Sequence, residues 1–117
     1  MEHDIGSMRA ALSNAMVRRK AELYGKGPER AKTYLNEEHV FVVMEGGLTP
    51  SEEQLVEAGD YDLVRRYRLR FQEVTEKVLT GDVEQITGRK VIGYHSQIVF
   101  EPTRIYEIFT LDAPPAI

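Results

Sequence analysis

Between Met44 and Glu53 the chain reads Met-Glu-Gly-Gly-Leu-Thr-Pro-Ser-Glu-Glu, and this stretch limits the fold more than any other. It joins an apolar run, His39 to Met44, to a helix start with its own punctuation. Thr49 has the chemistry of an N-cap, Pro50 suits the first helical position, and Glu52 stands three residues after Thr49, which completes a capping box. A strand leading directly into a capped helix calls for a layered domain of mixed α and β elements.

The remaining elements follow from spacing. Met8, Ala11, Leu12, Ala15, Met16 and Leu23 recur at helical intervals, with Ser7 as a candidate cap. Arg18, Arg19 and Lys20 fall late, where they complement the helix dipole. Gly25, Gly27 and Pro28 stop that helix. Residues 30–36 read as a strand, Asn36-Glu37-Glu38 as a hairpin turn, and residues 39–44 as a central strand apolar on both faces. After a short helix through Leu55, Val56 and Ala58, Gly59 breaks the chain and Asp60 or Asp62 starts another helix. There Val64, Tyr67, Phe71, Val74 and Val78 share one face at steps of three and four. Val83 and Ile86 fall off that stripe at about 100° per residue, which predicts a kink or restart at Gly81. Residues 91–100 and 105–111 read as a second hairpin, turned at Glu101-Pro102-Thr103.

The expected order is α-β-β-α-α-β-β. It makes an α+β two-layer sandwich, with helices packed on one face of a mostly antiparallel four-stranded sheet. A single domain spans residues 8–111, between flexible termini at 1–7 and 112–117. So few helices leave one sheet face bare, which predicts a homodimer, and Leu69, opposite the core stripe, adds to that expectation.

Composition narrows the chemistry. At 117 residues the chain can build one core unaided. It has no cysteine, which removes thiol nucleophiles, disulfides and Cys-based metal sites, and fits a reducing compartment. No apolar run reaches a membrane span and the start lacks a signal-peptide core, so a cytoplasmic protein with no direct membrane insertion is expected. The net charge of −4, with acids exceeding bases along the whole chain, argues against nucleic acid as a partner.

The candidate chemistry is sparse. Arg65, Arg66, Arg68 and Arg70 form the densest basic cluster, and planar guanidinium forks can clamp carboxylate or phosphate. The same residues also suit a solvated face with local ion pairs. Gly25-Lys26-Gly27-Pro28 follows a helix rather than preceding one, so it lacks the anion-binding dipole. Glu45, Glu52, Glu53 and Glu57 are carboxylates without an evident convergence. His3, His39 and His95 are dispersed and no metal site is expected. His95 and Ser96, adjacent on a strand, point to opposite faces and cannot form a dyad. Tyr94, Phe100, Tyr106 and Phe109 could form a base-stacking platform, but core packing or an interface explains them better.

Four phrases fall in an ordered succession: Gly25-x-Gly27-Pro28, Glu45-Gly46-Gly47-Leu48-Thr49-Pro50-x-Glu52, Leu63-Val64-Arg65-x-x-Arg68 and Val83-Glu84-x-x-Thr87-Gly88-Arg89. Together they resemble the small bacterial YbcI/MpsC-like family over residues 8–111. That family is named for a Na+-translocating, membrane-potential-generating system whose other components are membrane proteins linked to ion and inorganic-carbon uptake. The resemblance implies a cytoplasmic accessory protein of such a system, and the leading reading is a non-enzymatic accessory or regulatory domain with a membrane transporter subunit as partner and no cofactor. Arg65, Arg68 and Arg89 match the family phrases, whereas Arg66 and Arg70 enter as binding residues from helix geometry alone. Family members often carry Ser-Asp where this chain has Ser96-Gln97, which weakens any metal or acid/base role there. The alternatives are a small-anion or nucleotide-binding sensor using the same arginines, or a small enzyme.

Overall fold

In a computed structural model, which describes residues 4–117, the chain folds as α1 (Ile5–Tyr24), β1 (Arg30–Asn36), β2 (His39–Glu45), α2 (Pro50–Glu57), α3 (Tyr61–Thr87), β3 (Val91–Val99) and β4 (Arg104–Leu111). The order is the expected one. The strands form one antiparallel sheet in the order β1-β2-β4-β3, so each hairpin supplies one inner and one edge strand. Both helices of the main layer lie on the same face, α1 over β1 and α3 over β3, and they pack on each other.

Alternation along the strands sets the two faces. Val40, Val42 and Met44 of β2 and Ile105, Phe109 and Leu111 of β4 point at the helices and are buried with Met8, Leu12 and Met16 of α1 and Val64, Leu79 and Val83 of α3. The opposite face carries Phe41, Val43, Tyr106 and Ile108, all half-buried, and the more exposed Tyr34. Their rings run across three strands, with Tyr34–Phe41 and Phe41–Tyr106 centroids 6.3 and 6.0 Å apart, both edge to face. β2 is therefore central, but it alternates between buried and half-buried positions instead of being enclosed on both sides.

Three local expectations are corrected. The cap of α1 is Asp4, whose Oδ1 accepts from the Ser7 backbone N–H at 2.6 Å, so Ser7 lies inside the first turn. His3 and the rest of residues 1–3 lie outside the described residues. Second, α3 is one helix of 27 residues with no restart at Gly81. Third, its core stripe is Val64, Arg68, Gln72, Leu79, Val83 and Thr87, whereas Tyr67, Val74 and Val78 face solvent. The two corrections share a cause. A stripe drawn through the apolar residues alone follows the outer face, and from there Val83 seems displaced. Drawn through Arg68 and Gln72, the buried stripe continues straight past Gly81.

The final residues lie over the end of α3. Ala116 N–H donates to Thr87 O at 2.9 Å, and Arg89 Nε donates to Pro114 O at 2.6 Å.

Candidate functional site

The turn after β2 organises the interior. Gly46 and Gly47 both take positive φ, and a Cβ on Gly47 would lie 3.2 Å from Pro28 Cα, so only glycine permits this approach of the two loops. The turn delivers Thr49 to cap α2: Thr49 N–H donates to Glu52 Oε1 at 2.9 Å, and Glu52 N–H donates to Thr49 Oγ1 at 3.3 Å. Glu52 does more than cap. Its carboxylate is gripped by Arg68 of α3, with Nε donating to Oε2 at 2.7 Å and Nη2 to Oε1 at 2.6 Å. Arg68 Nη2 also donates to Gly47 O at 3.0 Å. Both side chains are buried. Burial pushes the Glu52 carboxyl up, but the hydrogen bonds from Arg68 and Thr49 and the charge of Arg68 outweigh it and hold the group below the usual carboxylate range.

A second buried ion pair lies beside the first. Lys20 Nζ, on the α1 stripe one turn beyond Met16, is 2.6 Å from Glu107 Oε1 of β4, and neither atom has any other hydrogen-bond partner among the described residues. Tyr94 of β3 donates its hydroxyl to Glu107 Oε2 at 2.7 Å. Burial and the Glu107 charge push the Tyr94 phenol far up. Tyr24 joins the pairs: its ring lies 4.0 Å from Arg68 Cζ and 5.5 Å from Lys20 Nζ. Its hydroxyl is buried without a partner among the described residues, and burial raises it to about 12. Ser96 Oγ is buried beside the Tyr94 hydroxyl and interacts with it. Two cations, two carboxylates and three hydroxyl groups thus occupy one region between α1, α3 and the sheet.

The five arginines singled out in the sequence do not form one patch. Arg68 is interior. Arg65 is exposed, pairs with Asp62 at 3.0 Å and lies 5.1 Å over Phe100. Arg65 and Arg66 line an open cleft of about 630 Å³ with Tyr61, Phe100 and Glu101 at the start of α3. Arg70 is exposed on the outer side of α3. Arg89 lies beyond the far end of that helix, roughly 35 Å from Arg65 at about 1.5 Å per residue.

The other candidates separate too. Glu45 pairs with Arg30 at 3.0 Å and Glu53 with Lys26 at 3.5 Å, while Glu57 is exposed. Tyr94 stacks on Phe109 at 5.0 Å toward the helices, whereas Tyr106 is on the opposite face, so these rings are not a platform. His39 and His95 are exposed, and no group of metal-ligating side chains gathers among the described residues.

Lys20, Tyr24, Gln72 and Glu107 went unnoticed as site residues in the sequence. Their signal was positional: Lys20 extends the Met8-Leu12-Met16 stripe, Gln72 extends Val64-Arg68, and Glu107 sits on the inward alternation Ile105-Glu107-Phe109.

Outside this network, α3 exposes a second apolar line. Leu63, Tyr67, Val74 and Val78 are 45%, 47%, 62% and 37% exposed, with half-buried Phe71 among them. Next to Leu63 and Tyr67, a depression of about 450 Å³ opens toward Leu55 of α2.

Residues 4–113 match the family model described as Na+-translocating membrane potential-generating system (MpsC). The chain belongs to the MpsC family. Among curated proteins, it is 28% identical over 102 residues to the uncharacterized protein YrhF of Bacillus subtilis (strain 168), covering 85% of this chain and 84% of that protein. No solved structure matches. The family phrases now have a physical reading in this MpsC-family chain. Gly47 and Pro28 make the loop contact, Glu52 and Arg68 the buried clamp, and Gly88 the left-handed end of α3. None of the described helices is long and apolar enough to cross a membrane.

Proposed function

We propose that this MpsC-family chain is a non-enzymatic accessory domain of a membrane ion or inorganic-carbon transport system, working in the cytoplasm as a homodimer. The observation that carries the reading is the double-sided helix α3. One side fills the core, and the other presents Leu63, Tyr67, Val74 and Val78 to solvent in a continuous line. Such a line is costly to leave in water and suits an apolar helical segment of a partner. Arg66 and Arg70 flank it and would favour an acidic rim. The second copy would cover the ring-lined outer face of the sheet, Phe41, Val43, Tyr106 and Ile108. The two surfaces lie on different layers, so a dimer would keep α3 free for the transporter subunit. The buried charges support a non-catalytic reading because each is held in an ion pair.

The test is capture of partners from the native membrane fraction by the tagged chain, with light scattering on the same preparation. Recovery of an integral ion-transport subunit, abolished by Val74→Glu and by Arg66→Glu/Arg70→Glu, supports the accessory reading. Recovery that neither change affects, or no transport subunit at all, overturns it. A monomer mass at high concentration overturns the dimer.

A further inference from the structure

The two edges of the sheet differ. β1 carries Arg30 and Lys32, both exposed, and charged side chains on an edge strand deter pairing with another chain. β3, nine residues from Val91 to Val99, has no charged residue and no proline. Its irregularity falls between Val91 and Gly93, which leaves residues 93–99 in regular register with β4. Among the described residues, the backbone of 93–99 bonds to no element but β4, so every second residue turns its N–H and C=O to the open side. We infer that this edge is a docking site for an uncharged, extended segment of a partner protein, added as a further strand beside β3. The proposal goes beyond the docking role of α3 and does not depend on it.

Hollows adjoin the edge on both of its faces. On the helix side, a cavity of about 120 Å³ lies between β3 and α3, with Leu69, Gln72, Ser96 and Ile98 in its wall. A second hollow, of about 430 Å³, reaches the outer face, where His95 and Gln97 meet Phe41, Tyr106 and Ile108. Leu69, 57% exposed, lines both. A strand turns successive side chains to opposite faces. Opposite Ser96, an added strand would turn one side chain toward α3, and its two neighbours would face the outer hollow beside His95 and Gln97. Extended peptides are recognised in this way elsewhere, with main-chain bonds giving affinity and pockets for alternate side chains giving specificity.

Size and charge set the occupant. At about 30 Å³ per water-sized unit, the helix-side cavity takes about four non-hydrogen atoms, the size of a leucine or isoleucine side chain. Of the two guanidiniums in its wall, Arg68 is held by Glu52 and Arg65 by Asp62. No charge is left over to pair with an incoming ion, and an unpaired buried charge is costly. The segment is therefore aliphatic where it faces α3 and uncharged along the stretch that pairs. A helical segment would leave the edge N–H and C=O groups unpaired, which separates this site from the apolar line on α3.

The experiment titrates the full chain with a blocked seven-residue peptide of alternating threonine and leucine, followed by ¹H–¹⁵N correlation spectra and amide hydrogen exchange. Saturable shifts are expected at residues 93–99, at Leu69 and at the Gln72 side-chain amide, with slowed exchange at alternate amides of β3. The same peptide N-methylated throughout keeps its side chains but loses every ladder donor, and should bind at least about tenfold more weakly. Leu69→Glu changes an exposed residue and should weaken binding about tenfold, whereas Leu69→Met should retain it. The proposal is overturned if no shift saturates, if the N-methylated peptide binds equally well, or if Leu69→Glu binds like the original chain. Shifts confined to Leu63, Tyr67 and Val74 overturn it in favour of the α3 line. It is also overturned if alternate β3 amides are already protected in the free chain and Leu69→Glu halves the mass seen by light scattering, because a second copy then holds the edge.

Discussion

Glu52 and Arg68, sixteen residues apart, meet through two hydrogen bonds of 2.6 and 2.7 Å inside the protein. The same carboxylate closes the capping box of α2. One side chain thus ties together the turn after β2, the start of α2 and the middle of α3.

Breaking this pair from one side strands a buried charge. Arg68→Met is expected to lower stability by about 3–5 kcal/mol, measured by denaturant unfolding. Arg68→Met combined with Glu52→Gln should recover part of that loss, because no ion is left unpaired. If the double variant loses the sum of the two single losses, the pairing contributes no coupling.

The depressed Glu52 carboxyl gives the pair a pH signature. A group whose folded pKa lies below its unfolded value contributes stability above the unfolded value, near 4.3 for glutamate. That stability fades as pH falls through the folded pKa. Unfolding free energies below about pH 4.3 should therefore drop more steeply for the original chain than for Glu52→Gln. Parallel curves would refute the assignment.

Two glycines should respond in opposite senses. Gly47 has φ +93 and its Cβ position abuts Pro28, so Gly47→Ala should cost about 1–3 kcal/mol or more. Gly81 sits in the continuous α3 with nothing within 4 Å of its Cβ position, so Gly81→Ala should gain about 0.5–1 kcal/mol. A destabilised Gly81→Ala protein would restore the kink that the sequence suggests.

The two sides of α3 can be told apart by stability alone. Leu79→Ala should cost about 2–5 kcal/mol by opening a core cavity. Val74→Glu, on the outer line, should change stability by less than about 1 kcal/mol. Comparable losses in thermal or denaturant unfolding would place Val74 in the core.

The element order, both hairpins, the capping box at Thr49 and Glu52 and the bare sheet face were fixed locally, by turn residues and by periods of two and 3.6. Local spacing could not decide which stripe of α3 faces inward, because both sides of that helix carry apolar residues and the buried side also holds Arg68 and Gln72. Nor could it pair Arg68 with Glu52 or Lys20 with Glu107, since each pair joins elements distant in the chain. A charge becomes cheap to bury only when its counter-charge arrives from another element, and that meeting exists only in the tertiary structure.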